Sequence, residues 1–229
     1  MKAVLFDLDN TLYPEIEFVK SGFRAVAHYL SSRHYLDREA LVERMLGILD
    51  REGRGKIFDT LLRDLDMYSE ETVRLLVFLY RSHCPTIPLY DETLPTLSLL
   101  REKGFRLGVI TNGMASVQRS KVRALGIADL FNVIIYTDEI GRDYWKPSTV
   151  PYQIALNLLD VEPAEGIYVG NDLAKDFLGA NTLGMSTIQL KRSMQREYMQ
   201  NENTDLAKPK HTINRLNVCM PIIEEMRNA

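Results

Sequence analysis

Two aspartates stand two residues apart near the start of the chain, where Ala3 to Phe6 leads into Asp7, Leu8, Asp9, Asn10 and Thr11. Four consecutive apolar residues followed by polar ones read as a short strand buried on both faces. The acids then sit at its carboxyl end, which in an open parallel α/β sheet is where ligands bind. Residues two apart on a nearly extended backbone lean to one side, so the carboxylates of Asp7 and Asp9 share a crevice. Two such charges repel by about 4 kcal/mol at roughly 4 Å and an effective dielectric of about 20. A cation, a shared proton or a neighbouring Lys or Arg has to relieve that. The same residues would also serve a plain turn after a strand, where Asp and Asn are common for backbone reasons.

Three further stretches carry groups suited to a phosphate. Thr111, Asn112 and Gly113 end an apolar run and precede a helical pattern, placing a hydroxyl and backbone N–H groups where an anion binds. Lys146 precedes Pro147, which disfavours helix there and implies an extended segment. Asp172 and Asp176 lie four apart at the start of an expected helix, on one face. Singly, these also fit a strand-to-helix turn, a surface lysine and a helix cap. Together they have one coherent use: Asp7, Asp9, Asp172 and Asp176 supply hard oxygen ligands for Mg²⁺, and the other groups supply donors for a transferring phosphoryl group.

The elements that must position these residues follow from periodicity. From Pro14 to Pro88 apolar residues recur at helical spacing in four stripes, beginning Ile16-Val19-Phe23, Leu41-Val42-Met45, Ile57-Phe58-Leu61 and, after an N-cap at Ser69, Val73. After Pro88 helix and strand alternate. Helices are expected over 93–103, 115–125, 149–159 and 173–183, and strands over 106–110, 133–136, 167–169 and 186–190. Residues 191–211 read as loop with one short helix, and 213–226 as a closing helix. Such alternation implies a parallel sheet flanked by helices, an α/β fold with three layers and a Rossmann-like core. The division expected is a core of residues 1–13 and 89–229 with a four-helix insert, residues 14–88.

Composition narrows the function. The chain has 229 residues, 45% hydrophobic and 26% charged, with a net charge of -3, which gives no basic face for a nucleic-acid polymer. Two cysteines, Cys84 and Cys219, lack metal-ligand spacing and point to a reducing compartment. No long apolar run suggests a membrane span, so a cytoplasmic protein is expected.

With these motifs in hand, the chain resembles the haloacid dehalogenase superfamily of phosphohydrolases. The family's first motif, Asp-x-Asp-x-Thr, is met by Asp7, Asp9 and Thr11; its second by Thr111, within Ile110-Thr111-Asn112-Gly113; its third by Lys146; its fourth by Asp172 and Asp176. One departure stands out: the fourth motif usually reads Gly-Asp, and here it is Gly170-Asn171-Asp172. The resemblance implies that Asp7 attacks phosphorus to form an aspartyl-phosphate, with Asp9 as general acid and base, protonated beside an ionised Asp7. It implies Mg²⁺ held by Asp7, the Asp9 backbone carbonyl and Asp172, with Asp176 orienting Lys146 or a metal-bound water. Thr111, Asn112, Gly113 and Lys146 would bind the phosphoryl oxygens. The insert resembles the family's tetrahelical cap, and its basic loop, residues 51–56, offers Arg54 as a substrate contact.

The resulting expectation is a Mg²⁺-dependent phosphomonoester hydrolase for a small phosphorylated metabolite, a nucleotide or sugar phosphate, working as a monomer or homodimer. A phosphomutase, a 2-haloacid dehalogenase and a non-catalytic metabolite-binding regulator are the competing readings on the same fold.

Overall fold

The computed structural model describes residues 1–192 and 205–228. Its chain divides into two compact units, Met1–Pro14 with Pro88–Ala229, and Glu15–Ile87.

Strand β1 (Ala3–Phe6) opens the first unit, and the second holds helices α1 (Glu15–His34), α2 (Arg38–Glu52), α3 (Ile57–Asp64) and α4 (Glu70–Ser82). Two of these helices start where the sequence supplies a cap: Asp37 accepts from the Ala40 N–H at 2.7 Å and Ser69 from the Thr72 N–H at 3.0 Å. The stripes meet in one core of Val19, Phe23, Met45, Ile48, Leu61 and Leu76. Ile16, placed in the first stripe by its spacing, is exposed. At Gly22 a Cβ would stand 2.4 Å from the Tyr80 ring, so the close approach of α1 and α4 depends on its absence.

The first unit continues with α5 (Thr93–Glu102), β2 (Arg106–Thr111), α6 (Ala115–Leu125), β3 (Val133–Tyr136), α7 (Val150–Leu159), β4 (Gly166–Gly170), α8 (Leu178–Thr182), β5 (Ser186–Leu190), β6 (His211–Ile213) and α9 (Cys219–Asn228). Gly126 follows α6 at φ 66°, a left-handed position that ends the helix without a Cβ penalty. The six strands are all parallel, in the order β3-β2-β1-β4-β5-β6. This is the doubly wound, Rossmann-like order, whose direction of winding reverses between β1 and β4. Strand β1 pairs Phe6 with Val109 on one side and Val169 on the other, so it lies inside the sheet and all four of its residues are buried. Ala3 and Leu5 pack with Tyr152, Leu156 and Ala180 of α7 and α8. Val4 and Phe6 point to the opposite face.

Two expectations about the second half need correction. The helix expected over 173–183 spans only Leu178–Thr182, because the N–H groups before it are bound by aspartate side chains. The closing helix expected over 213–226 begins at Cys219, and His211–Ile213 instead adds a sixth strand beside β5. Of the stretch 191–211, residues 193–204 lie outside the described residues, and Asp205–Ala207 form a 3₁₀ turn. Cys84 and Cys219 are free, and no described helix is long and apolar enough to cross a membrane.

Candidate active site

The reversal between β1 and β4 brings two loops together at the carboxyl end of the sheet. Asp7 follows β1 directly, its N–H continuing the ladder to the Val169 carbonyl at 2.9 Å. Beyond it the chain turns on Leu8 and Leu12, both fully buried, and Asn10 takes φ 60°, a left-handed value that Asn tolerates. Gly170 ends β4, and the residues after it wrap around Asp176 rather than entering a helix.

Lys146 joins the two loops. Its side chain is fully buried, and its ammonium donates to Asp7 Oδ1 at 2.6 Å, Tyr168 Oη at 2.8 Å and Asp176 Oδ1 at 2.8 Å. All three of its hydrogens are thus placed. Asp176 is equally saturated: Oδ2 accepts from the N–H groups of Asn171 at 3.0 Å and Asp172 at 2.8 Å, and the Tyr168 hydroxyl donates to Oδ1 at 3.2 Å. Burial would raise the Asp176 pKa, but the charges of Lys146 and Lys175 outweigh it and hold the group below its ordinary value. A Cβ on Gly170 would lie 2.6 Å from Asp176 Oδ2, so glycine ends β4 where the carboxylate needs the room.

Asp7, 4% exposed, shares that ammonium with Asp176. Its Oδ2 receives only a long contact of 3.4 Å from the Thr11 hydroxyl, which lies 3.3 Å from Asn171 Oδ1 as well. Burial pushes the Asp7 carboxyl up to about 6, Lys146 pulls it down, and Asp176 raises it again. Asp9 behaves in the opposite way. Burial would raise its pKa, yet Lys121 at 2.7 Å, the Tyr13 hydroxyl and Gln118 at 2.9 Å hold the carboxylate below its ordinary value. The resemblance implies that Asp9 is the protonated member of the pair; in this structure burial raises the Asp7 carboxyl, and three donors lower that of Asp9. Burial is the largest influence on Asp7, which shares Lys146 with Asp176, whereas Asp9 receives Lys121, Tyr13 and Gln118 together.

At the β2 tip the side chains are tied in place by their neighbours. Thr111 is buried and its Oγ1 accepts from Gln118 Nε2. The Asn112 side chain turns to the Lys146 peptide, accepting from its N–H at 3.0 Å and donating to its carbonyl at 3.0 Å. It thereby fixes the lysine loop and leaves only its backbone for an anion. Gly113, at φ 118°, leads to α6, whose first N–H, at Ala115, is taken by Asp138 at 3.0 Å. Arg54 belongs to the helical unit, where it pairs with Glu15 at 2.7 Å.

The donors fit Mg²⁺, which takes one or two carboxylates and fills its other positions with water and phosphate oxygen. Asp7 and Asp172 follow the paired strands β1 and β4, and among the described residues no group of three or more His, Cys, Asp or Glu could hold a metal ion by itself. Asp172 accepts from the Ala174 N–H at 2.9 Å and pairs with Lys175 at 3.0 Å. Burial would lower the Lys175 pKa, but Asp7, Asp176 and Asp172 raise it, so the field at this end favours a cation. With four protein donors on its oxygens, Asp176 is arranged to orient Lys146 and the loop after β4.

Residues 4–190 match the family of haloacid dehalogenase-like hydrolases. The chain belongs to that family. A glyceraldehyde 3-phosphate phosphatase of Methanopyrus kandleri is 30% identical to this haloacid dehalogenase-like hydrolase, over 99% of this chain and 98% of that one. A pyrophosphatase, PpaX, of Bacillus pumilus is 28% identical over 86% of each. Among solved structures, a phosphatase of the family from Thermococcus onnurineus superposes with a TM-score of 0.63 at 28% identity, covering 97% of this chain and 98% of the other.

Four residues of this hydrolase's site escaped the sequence reading: Tyr13, Gln118, Lys121 and Tyr168. Two of them had a signal. The buried face of α6 is Gln118, Lys121, Val122 and Leu125, an i, i+3, i+4, i+7 stripe in which the first two positions are polar. A lysine on a core-facing stripe needs a carboxylate partner, and the half-buried Asp9 is that partner.

Proposed function

We propose that this chain is a Mg²⁺-dependent phosphomonoester hydrolase that passes the phosphoryl group through Asp7. The observation that carries the reading is the unequal use of the acids. Asp9, Asp172 and Asp176 have both oxygens engaged at 3.0 Å or less or by the Tyr13 hydroxyl, whereas Asp7 has one oxygen anchored at 2.6 Å and the other only loosely contacted. An anchored carboxylate with one lightly held oxygen at a strand tip suits a nucleophile.

In the first step Asp7 Oδ2 forms a bond to phosphorus, the bond from phosphorus to the leaving oxygen breaks, and that oxygen takes a proton from Asp9. In the second, water attacks phosphorus, Asp9 takes its proton, and the bond to Asp7 breaks, releasing phosphate. The first step needs Asp9 in its acid form, so its ion pair with Lys121 opens beforehand. Thr111 donates to the phosphoryl oxygens, the charge of Lys146 offsets theirs, and Asp176 with Tyr168 keeps Lys146 aimed at Asp7. Asp7, Asp172 and the Asp9 carbonyl would hold Mg²⁺, which would supply Lewis-acid neutralisation of phosphoryl charge. Substrate choice is assigned to the helical unit acting as a cap, with Arg54 as its candidate cation.

The relatives named for glyceraldehyde 3-phosphate and for pyrophosphate support a small phosphorylated anion as substrate. The test is phosphate release from an aryl phosphate and then from a panel of sugar phosphates, nucleotides and pyrophosphate, with Mg²⁺ or a chelator. Release that needs Mg²⁺ and vanishes in Asp7→Asn supports the reading; release that survives Asp7→Asn sinks it. Halide release from 2-chloropropionate, or an isomerised sugar phosphate as product, would move the chain to the dehalogenase or mutase reading.

A further inference from the structure

Gln118 stands between two groups of the proposed reaction without itself reaching phosphorus. It is 1% exposed on α6, and its Nε2 donates to Asp9 Oδ2 at 2.9 Å and to Thr111 Oγ1. The amide is oriented by its surroundings. Asp9, ion-paired with Lys121, can only accept, so the nitrogen of Gln118 and not its oxygen must face it. The second hydrogen of the same nitrogen then falls on Thr111.

That second bond decides what the threonine can do. A hydroxyl has one hydrogen and two acceptor positions, and its rotation is set by its partners. Since Thr111 Oγ1 accepts from Gln118, its own hydrogen points away from α6. Among the described residues no group of the protein accepts from that hydroxyl, so it is available to an acceptor arriving at the crevice.

We propose that Gln118 is a positioning residue that fixes the Thr111 hydroxyl as a donor toward the phosphoryl oxygens and, through the same nitrogen, holds Asp9, with Lys121 setting the direction of the amide. The inference rests on the reading of Asp7 and Thr111 as a phosphoryl site. It ties both strand tips to one face of one helix: β1 through Asp9 and β2 through Thr111.

The test is a double-mutant cycle read by inorganic phosphate binding in calorimetry with Mg²⁺ present, on the parent, Gln118→Met, Thr111→Val and the pair combined. Aryl phosphate turnover is measured alongside. Gln118→Met should weaken phosphate binding about tenfold, the size expected for one hydrogen bond to a charged group. Combined with Thr111→Val it should add nothing to the loss that Thr111→Val causes alone. Gln118→Glu should weaken binding more than Gln118→Met, because the new carboxylate draws the Thr111 hydrogen to itself and repels both Asp9 and the phosphate. Should Gln118→Met fail to fold, Gln118→Leu, which also removes the amide without adding charge, carries the same cycle. A purely structural Gln118 would weaken binding equally in both Thr111 backgrounds. Additive losses, unchanged binding in Gln118→Met, or a parent that binds phosphate no better than Thr111→Val would each overturn the proposal. Failure of the hydrolase reading shows separately, as a parent that releases no phosphate from the aryl ester, and leaves the binding cycle intact as a measurement.

Discussion

Removing the charge of Asp7 should abolish phosphate release and at the same time strengthen the fold. The carboxyl is buried, and its pKa stands at about 6 against an ordinary 3.8, burial being the largest cause. Between those values the folded chain keeps a proton that the unfolded chain has released, so stability falls as pH rises through the window. Above it the whole penalty is present, and the gap between the two values corresponds to about 3 kcal/mol. Asn keeps the shape of the side chain without the charge. In chelator at about pH 7.5, Asp7→Asn should therefore exceed the parent by about 3 kcal/mol in urea denaturation, or about 6–12 °C in melting temperature. At about pH 4.5 both chains carry little charge at this position and the gap should narrow to about 1 kcal/mol. Mg²⁺ should shrink the gap at neutral pH by stabilising the parent alone, since a ligand that binds the folded carboxylate adds its binding energy to stability. A variant less stable than the parent at about pH 7.5 in chelator, or a gap that does not change with pH, would refute the reasoning.

Three other substitutions probe the same cluster. Lys146→Met leaves Asp7 and Asp176 facing each other without the ammonium they share; it should lower stability by about 3–5 kcal/mol in urea and cut aryl phosphate turnover at least about a hundredfold. Tyr168→Phe removes a hydroxyl that accepts from Lys146 at 2.8 Å and donates to Asp176 at 3.2 Å. The buried hydrogen left over on Lys146 should lower the denaturation midpoint by the equivalent of about 1–3 kcal/mol. Gly170→Ala drives a methyl group into the Asp176 carboxylate and should show about 1–3 kcal/mol of destabilisation in thermal melts, with phosphate release falling as Lys146 loses its anchor.

Much of the architecture was legible because it depends on period and punctuation. The apolar run of β1, the β-α alternation after Pro88 and the caps at Asp37, Ser69 and Gly126 are local signals, and the parallel sheet follows from them. Two regions were misread for a physical reason. Residues 172–177 have a helical pattern, yet Asp172 and Asp176 bind the N–H groups of Asn171, Asp172 and Ala174, and a side chain that takes an N–H competes with the helix for it. Strand β6 has three residues, two of them exposed, and so little apolar pattern that pairing with β5 alone defines it. Within the site, the types and spacing of Asp7, Thr111, Lys146 and Asp176 announced themselves. The partner that holds each of them did not. How the acids differ in their hold on a proton depends on burial and on how Lys121, Lys146 and Lys175 are shared among Asp7, Asp9 and Asp176, and that is set largely by distances between segments far apart in the chain. Lys121 could have been suspected from its place on a buried stripe, but not its choice of Asp9.

The central position of β1 also fixes an order of events during synthesis. The strand made first takes its neighbours from residues 106–111 and 166–170, and Asp7 meets Lys146 across 139 positions of chain. The helical unit draws its core from within residues 15–87, and such local contacts close sooner than distant ones. On a translating ribosome the helices therefore gather while the apolar segment Ala3–Phe6 waits, still solvated, for most of the protein to emerge. A nascent chain halted just after α6 should resist protease across α1 to α4 and be cut beside β1. Asp7 and Asp9 are made well before Lys121, Lys146 and Asp176, so a product truncated ahead of those residues has no working site to misuse.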